Sequence, residues 1–193
     1  MKPERLALAF FHAEIDDVCA RARRVFAARD ISTIWEAPVG MSSLDAAIDQ
    51  LPPRNGPPSG LFFTSPACSG WTGLGNRGDA WYTLVNAISE QAKDLEALFV
   101  ACDLEKTQYP AAAFEFYRDG QSVRCVRASR EEDGWHFVNR GTPLPFEDVS
   151  QYSRRAISDR LNRTTLETML SRLDIDLNAL LTGPLSTARL LTT

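Results

Sequence analysis

The hydrophobic pattern of the first segment predicts a strand, a helix and a second strand. Residues 6–11 form a continuous apolar run, which is typical of a strand covered on both faces. Residues 14–28 have apolar positions at helical spacing, so we predict an amphipathic helix there. Residues 31–36 again have the pattern of a strand. A strand–helix–strand unit favours two parallel strands joined by a right-handed crossover. The predicted buried stripe of the helix is Ile15, Val18, Cys19, Ala22, Val25 and Phe26.

A stretch rich in proline and glycine separates this segment from the rest. Neither a helix nor a sheet tolerates the composition of residues 52–60, so we predict an exposed connector. A short helix at 44–51, with Ser42 or Ser43 as its N-cap, precedes it. We therefore expect one compact domain with four parts. These are an N-terminal β-α-β half (1–51), the connector (52–60), a C-terminal α/β half (61–181) and a tail without strong pattern (182–193).

The C-terminal half repeats the strand–helix–strand pattern and then changes. We predict strands at 61–64 and 96–102, with a Gly-rich loop at 68–78 and a helix at 79–92 between them. The Asp119-Gly120 pair between two alternating segments is a strong hairpin signal. It leads to an antiparallel meander of strands at 111–117, 121–128 and 135–139.

Two helices are predicted to close the chain. They cover residues 147–161 and 165–173, and Thr164 with Glu167 fits a capping box at the second. The whole pattern predicts an α/β (α+β) fold. Its elements are a mixed β-sheet with flanking helices, a C-terminal antiparallel meander and two closing helices.

Composition and charge narrow the class of function. The chain has 193 residues, of which 44% are hydrophobic and 24% charged, as in ordinary globular proteins. Its net charge of −4 argues against a strongly basic nucleic-acid binder, and it has no apolar run of membrane-spanning length. We expect a cytoplasmic protein that binds neither nucleic acid nor membrane. Its cysteines lack metal-ligand spacing, so we expect free thiols and no metal site: Cys19, Cys68, Cys102 and Cys125.

One segment matches the G-x-G-x-x-G pattern of dinucleotide sites. Gly73, Gly75 and Gly78 precede a predicted helix, and Asp103 ends the next predicted strand. In such a site the glycines admit a pyrophosphate and the acid binds a ribose. The match is imperfect, because Trp81 stands where close helix packing needs a small side chain. We favour a surface loop and no cofactor, and keep a nucleotide- or small-molecule-binding enzyme as the alternative.

Charged residues after position 117 alternate in sign. Arginines such as Arg124 are interleaved with acids such as Glu147, so we expect an exposed, salt-bridged surface. Acids dominate residues 79–117 and also form the predicted turn at 131–133, where they would steer a basic partner. An exposed tryptophan would add an anchor. The predicted partner-binding residues are Trp71, Asp103, Glu105, Glu131, Glu132 and Asp133.

Two stretches resemble known proteins. The segment 134–148, continuing to Ile175, resembles the C-terminal part of small bacterial proteins. Ser69-Gly-Trp-Thr72 resembles openings of immunity proteins from bacterial polymorphic toxin systems, including partners of contact-dependent inhibition toxins. The resemblance implies a non-enzymatic protein that binds and neutralises a cognate toxin and has no catalytic residues. A structural or oligomeric adaptor is a further alternative.

Overall fold

A computed structural model describes residues 5–36, 43–51, 59–76, 82–103 and 107–193. Its strands are β1 (Arg5–Phe11), β2 (Ile34–Glu36), β3 (Ser59–Thr64), β4 (Thr72–Gly75), β5 (Ala97–Asp103), β6 (Ala111–Arg118), β7 (Gln121–Glu131), β8 (Gly134–Gly141) and β9 (Thr187–Thr192). Its helices are α1 (Ile15–Ala27), α2 (Leu44–Asp49), α3 (Tyr82–Glu90), α4 (Arg163–Ser171) and α5 (Leu177–Thr182). No helix among these described residues is long and apolar enough to cross a membrane.

All strands join one nine-stranded sheet in the order β2-β9-β3-β4-β1-β5-β6-β7-β8. The α+β class with flanking helices is confirmed, but the sheet is not mixed. Every strand pair described is antiparallel. The predicted parallel pair of β1 and β2 is wrong, because β4 and β5 occupy both edges of β1. Helix α1 instead carries the chain across β4, β3 and β9 to the far edge of the sheet.

Helices cover both faces of the sheet. The predicted stripe of α1 is buried as expected, and α1 and α3 share a hydrophobic cluster with one face. Helices α2, α4 and α5 contribute to a second cluster on the other face. Ser43 caps α2 as predicted, with its Oγ accepting a hydrogen bond from the Ala46 amide at 3.2 Å. Helix α3 is described only from Tyr82, and most of the predicted connector (52–58) lies outside the described residues.

The end of the chain differs from the prediction. The supposed tail contains β9, which pairs with both β2 and β3 and buries Leu191. The sequence pattern does not predict β9, because its partner strands β2 and β3 come from the distant first third of the chain. Residues 59 and 60, assigned to the connector, begin β3.

The first predicted closing helix is also wrong. Residues 149–153 and 157–159 form only 3₁₀ turns. Short polar side chains bind the local backbone here: Asp148 accepts from the Ser150 amide, and the Ser153 hydroxyl donates to the Ser150 carbonyl. Such bonds compete with an α-helix. Helix α4 confirms the second, but its capping box joins Asn162 and Thr165 instead of Thr164 and Glu167.

The meander of β6, β7 and β8 is confirmed, and it forms the part of the sheet on which the candidate site lies. Asp119 and Gly120 both have positive φ angles, 53° and 77°, as the predicted two-residue hairpin requires. A register shift between Phe116 and Tyr117 interrupts the pairing of β6 with β7.

Candidate functional site

The two faces of the meander are covered unequally. On one face, side chains of β6 and β7 are buried beneath α4 and residues 144–161; they include Ala112, Phe114, Phe116, Val126 and Ala128. On the other face, α1 and α3 cover the sheet as far as β5 and the hairpin end of β6, and α3 also contacts β7. Most side chains beyond α3 remain at least partly exposed to solvent, although Ser129 of β7 is buried. We call this surface the open face, and its residues are Phe99, Ala101, Ala113, Glu115, Cys125, Arg127, Val138 and Arg140, with His136 and Glu131 towards the β7–β8 turn.

A groove of about 430 Å³ runs across the open face. Its floor consists of small side chains, with Ala101 of β5 directly opposite Ala113 of β6. One wall is aromatic, because the Tyr82 and Phe99 rings meet edge to face at 5.3 Å. Arg127 lines the opposite rim. The groove therefore combines an apolar floor with a few polar groups, as ligand-binding sites usually do.

Glu115 is the carboxylate of this groove. The Tyr82 hydroxyl donates a hydrogen bond to its Oε2 at 2.6 Å, and the Ser122 hydroxyl donates to its Oε1. Both donors are neutral. None of the ion pairs formed among the described residues involves Glu115. The groove thus contains a partly buried carboxylate that forms no ion pair with any cation among the described residues.

Cys125 lies beside Glu115 on the next strand. Burial raises the pKa of its thiol, and the neighbouring Glu115 charge raises it further. The thiol is therefore protonated at neutral pH, and a protonated thiol is a weak nucleophile.

The structure places four of the predicted partner-binding residues at one end of the sheet. The acidic turn Glu131, Glu132 and Asp133 joins β7 to β8, and Asp103 ends β5 at the same end. Glu131 is on the open-face side of β7, because alternate residues of a strand face the same side. Glu105 lies outside the described residues.

The acidic turn is partly paired within the chain. His136 Nε2 lies 2.7 Å from Asp133 Oδ1, and Arg127 is 3.6 Å from Glu131. Hydrogen bonding to His136 lowers the pKa of Asp133, and the same contact raises the pKa of His136. Ligand atoms of Glu131, Asp133 and His136 lie within 4.8 Å of one another, but all three residues are exposed. Glu132 makes no such pair and is exposed.

Trp71 is not an exposed anchor, so this prediction is wrong. Only 7% of the residue is exposed, its indole Nε1 donates to the Leu173 carbonyl at 3.1 Å, and its ring lies 5.0 Å from His12. It joins the end of α4 to the sheet and is part of the core.

Part of the Gly-rich segment, Thr72–Gly75, is a strand and not an open loop. Gly73 and Gly75 lie in β4, which is hydrogen-bonded between β1 and β3. A Cβ atom on Gly73 would lie 2.1 Å from the Phe63 ring, so this glycine makes room for an aromatic side chain. The glycine pattern therefore has a packing explanation, although Gly78 itself lies outside the described residues.

Arg124 and Glu147, which we expected on an exposed surface, form a buried ion pair. Both side chains are 0% exposed and their charged groups are 2.6 Å apart. Arg124 also donates to Asn139 at 2.6 Å, and the Tyr152 hydroxyl donates to Glu147 at 2.7 Å. The sequence pattern did indicate burial of Arg124, because this residue alternates in phase with the buried Val126 and should share its face.

Comparisons with protein-family models, curated proteins and solved structures found no match for the chain.

Proposed function

We propose that this chain is a protein-binding protein of the immunity type. It acts in the cytoplasm by binding and covering a toxin whose surface is basic. The observation that carries the proposal is the open face of the meander, which adjoins the acidic turn at 131–133. Exposed surface of this kind, with a polar rim, is typical of protein interaction sites.

Charge supports a basic partner. The chain has a net charge of −4, and Glu132, Asp133 and Asp103 lie at the end of the sheet next to the open face. Complementary charges at a rim mainly increase the rate of association, while buried contacts determine the rate of dissociation. The acidic turn would accordingly steer the partner, and the open face would hold it.

The nucleotide-binding alternative depends on a glycine loop, but Gly73 and Gly75 of this segment lie in strand β4. The amides of Gly73 and Gly75 belong to a strand with a neighbour on each side, and both residues are buried. A pyrophosphate needs amides that are free to approach it. No observation favours the structural or oligomeric adaptor over a toxin-binding role.

The proposal is tested with the product of the adjacent gene, which the proposal requires to be a toxin. We expect co-expression of this chain to protect cells from that product, and the purified proteins to form a complex. If the chain neither protects cells nor forms a complex with this product, the proposal fails.

A charge reversal locates the surface. Glu132→Lys is expected to lower the association rate about three- to tenfold at low salt, because it reverses one steering charge. Glu14→Lys is the matched control, since Glu14 is also exposed but lies by the opposite end of β1. Stopped-flow measurement at two salt concentrations checks this expectation. Equal effects of the two variants would place the partner elsewhere.

A further inference from the structure

Glu115 differs from several other acids near this sheet, because among the described residues its hydrogen-bond partners are all neutral. Glu147 is paired with Arg124, Glu131 with Arg127 and Glu96 with Arg118. Glu115 instead accepts two hydroxyl hydrogen bonds. A carboxylate offers about four lone-pair positions, so it retains capacity for a further donor on the groove side.

The surroundings of this carboxylate suit a cation with an apolar stem. The Tyr82 and Phe99 rings form the adjoining wall, and aromatic faces attract ammonium and guanidinium groups. Ala101 and Ala113 leave a floor on which methylene groups can lie, as the stems of long basic side chains do on apolar surfaces.

Among the described residues, Arg127 lines the groove and Arg140 lies opposite Cys125 on the same face, and neither forms an ion pair with Glu115. Arg127 is 53% exposed and its nearest acid is Glu131, at 3.6 Å. Glu131 lies two rows further along the open face, towards the acidic turn, so this pairing draws the guanidinium away from Glu115. Arg127 at the rim and Arg140 opposite Cys125 nevertheless add positive charge near the groove, which any incoming cation would experience.

We propose that the groove on the open face binds a lysine or arginine side chain of a partner protein, with the charged head at Glu115 and the stem over Ala101 and Ala113. This inference rests on the proposed function and deepens it, because it identifies the chemistry of one anchor. A basic anchor agrees with the acidic turn at the end of the same surface.

The test uses the purified chain and a small probe, n-butylguanidinium, which reproduces an arginine head and stem. We expect saturable shifts of the Ala101 and Ala113 methyl resonances in an NMR titration, with a dissociation constant on the order of 10 mM. n-Butanol, which has the stem without the charge, is expected to give no saturable shift at these concentrations.

Glu115→Gln is the central variant. It removes the charge and retains an oxygen for the Tyr82 hydrogen bond, so we expect binding to weaken at least about fivefold. Glu132→Gln changes the net charge equally but lies in the acidic turn, so its titration should match the wild type. Equal affinity in Glu115→Gln and the wild type would overturn the proposal, as would no saturable shift at all.

Two further variants keep the result interpretable. Ala113→Leu fills the floor from the exposed side, so it should abolish the shift of the remaining Ala101 methyl resonance without disturbing the core. Arg127→Ala removes the positive charge at the rim and should strengthen binding about twofold or more. Weaker binding in Arg127→Ala, or an unchanged titration in Ala113→Leu, would contradict the proposal. Because no toxin is used, a negative result leaves the protection experiment to decide the proposed function separately.

Discussion

Two glutamates on opposite faces of the meander show how differently one fold treats the same side chain. The Glu147 side chain is 0% exposed and accepts hydrogen bonds from the Arg124 guanidinium, the Leu144 amide and the Tyr152 hydroxyl. Glu115 is partly exposed and receives two neutral hydroxyls. A buried charge is stable only if other groups of the chain compensate it, whereas an exposed charge can be stabilised by solvent or by a ligand. The first glutamate is therefore expected to govern stability and the second to govern binding.

The largest effect should come from breaking the buried pair. Glu147→Gln leaves the Arg124 guanidinium at 0% exposure with only neutral acceptors. An uncompensated buried charge costs about 3–5 kcal/mol. We expect the free energy of unfolding, measured with urea, to fall by that amount. A loss below about 1 kcal/mol would mean that water reaches the pair, and the contrast between the two glutamates would disappear.

The contrast between these glutamates was only partly predictable from the sequence. Glu115 lies in a predicted strand and alternates with Phe114 and Phe116, so the pattern places it on the opposite face from them. That its face stays uncovered depends on strand order and on where α3 docks, and neither is a local property. Arg124 carried the converse signal, because its phase with Val126 indicated burial while its charge indicated exposure.

Other incorrect predictions also concern features that depend on residues far apart in the chain. The periodicity of α1 predicted its buried face residue by residue, since a helix is specified by its own spacing. Strand β9 and the strand nature of Gly73 depend on partners far away in the chain. Glycines appear loop-like in a sequence, and only the Phe63 ring shows why one is needed here.

A second large effect is expected at the centre of the sheet, away from both glutamates. Gly73→Ala would place a Cβ 2.1 Å from the Phe63 ring, and overpacking of this kind costs about 1–3 kcal/mol. Gly75→Ala should cost less, because its nearest contact would be 3.2 Å from the flexible end of Leu8. Urea unfolding of the two variants compares them directly. The reverse order would show that β4 is not packed as described.

The reactivity of the cysteine thiols also distinguishes the open face from the core. Burial raises the pKa of both Cys19 and Cys68 to about 11, whereas Cys125 is only partly buried. We expect alkylation at pH 8 to modify Cys125 first and the others only on unfolding, as mass spectrometry of digested protein can show. Since the folded-state pKa is raised, the stability contributed by Cys19 and Cys68 is complete below about pH 9 and is lost as the pH approaches 11. Rapid modification of Cys68 in the native protein would contradict its burial.

The smallest effect completes the comparison. Glu115→Gln is expected to change the free energy of unfolding by less than about 1 kcal/mol, because the amide oxygen still accepts a hydrogen bond and water reaches the site. Urea unfolding beside Glu147→Gln measures both residues on one scale, with equal loss of one negative charge. If the two losses were similar, Glu115 would be a structural residue like Glu147. A stable Glu115→Gln protein that has lost affinity for n-butylguanidinium would instead assign this carboxylate to recognition, because its charge would then matter only when a cation is present.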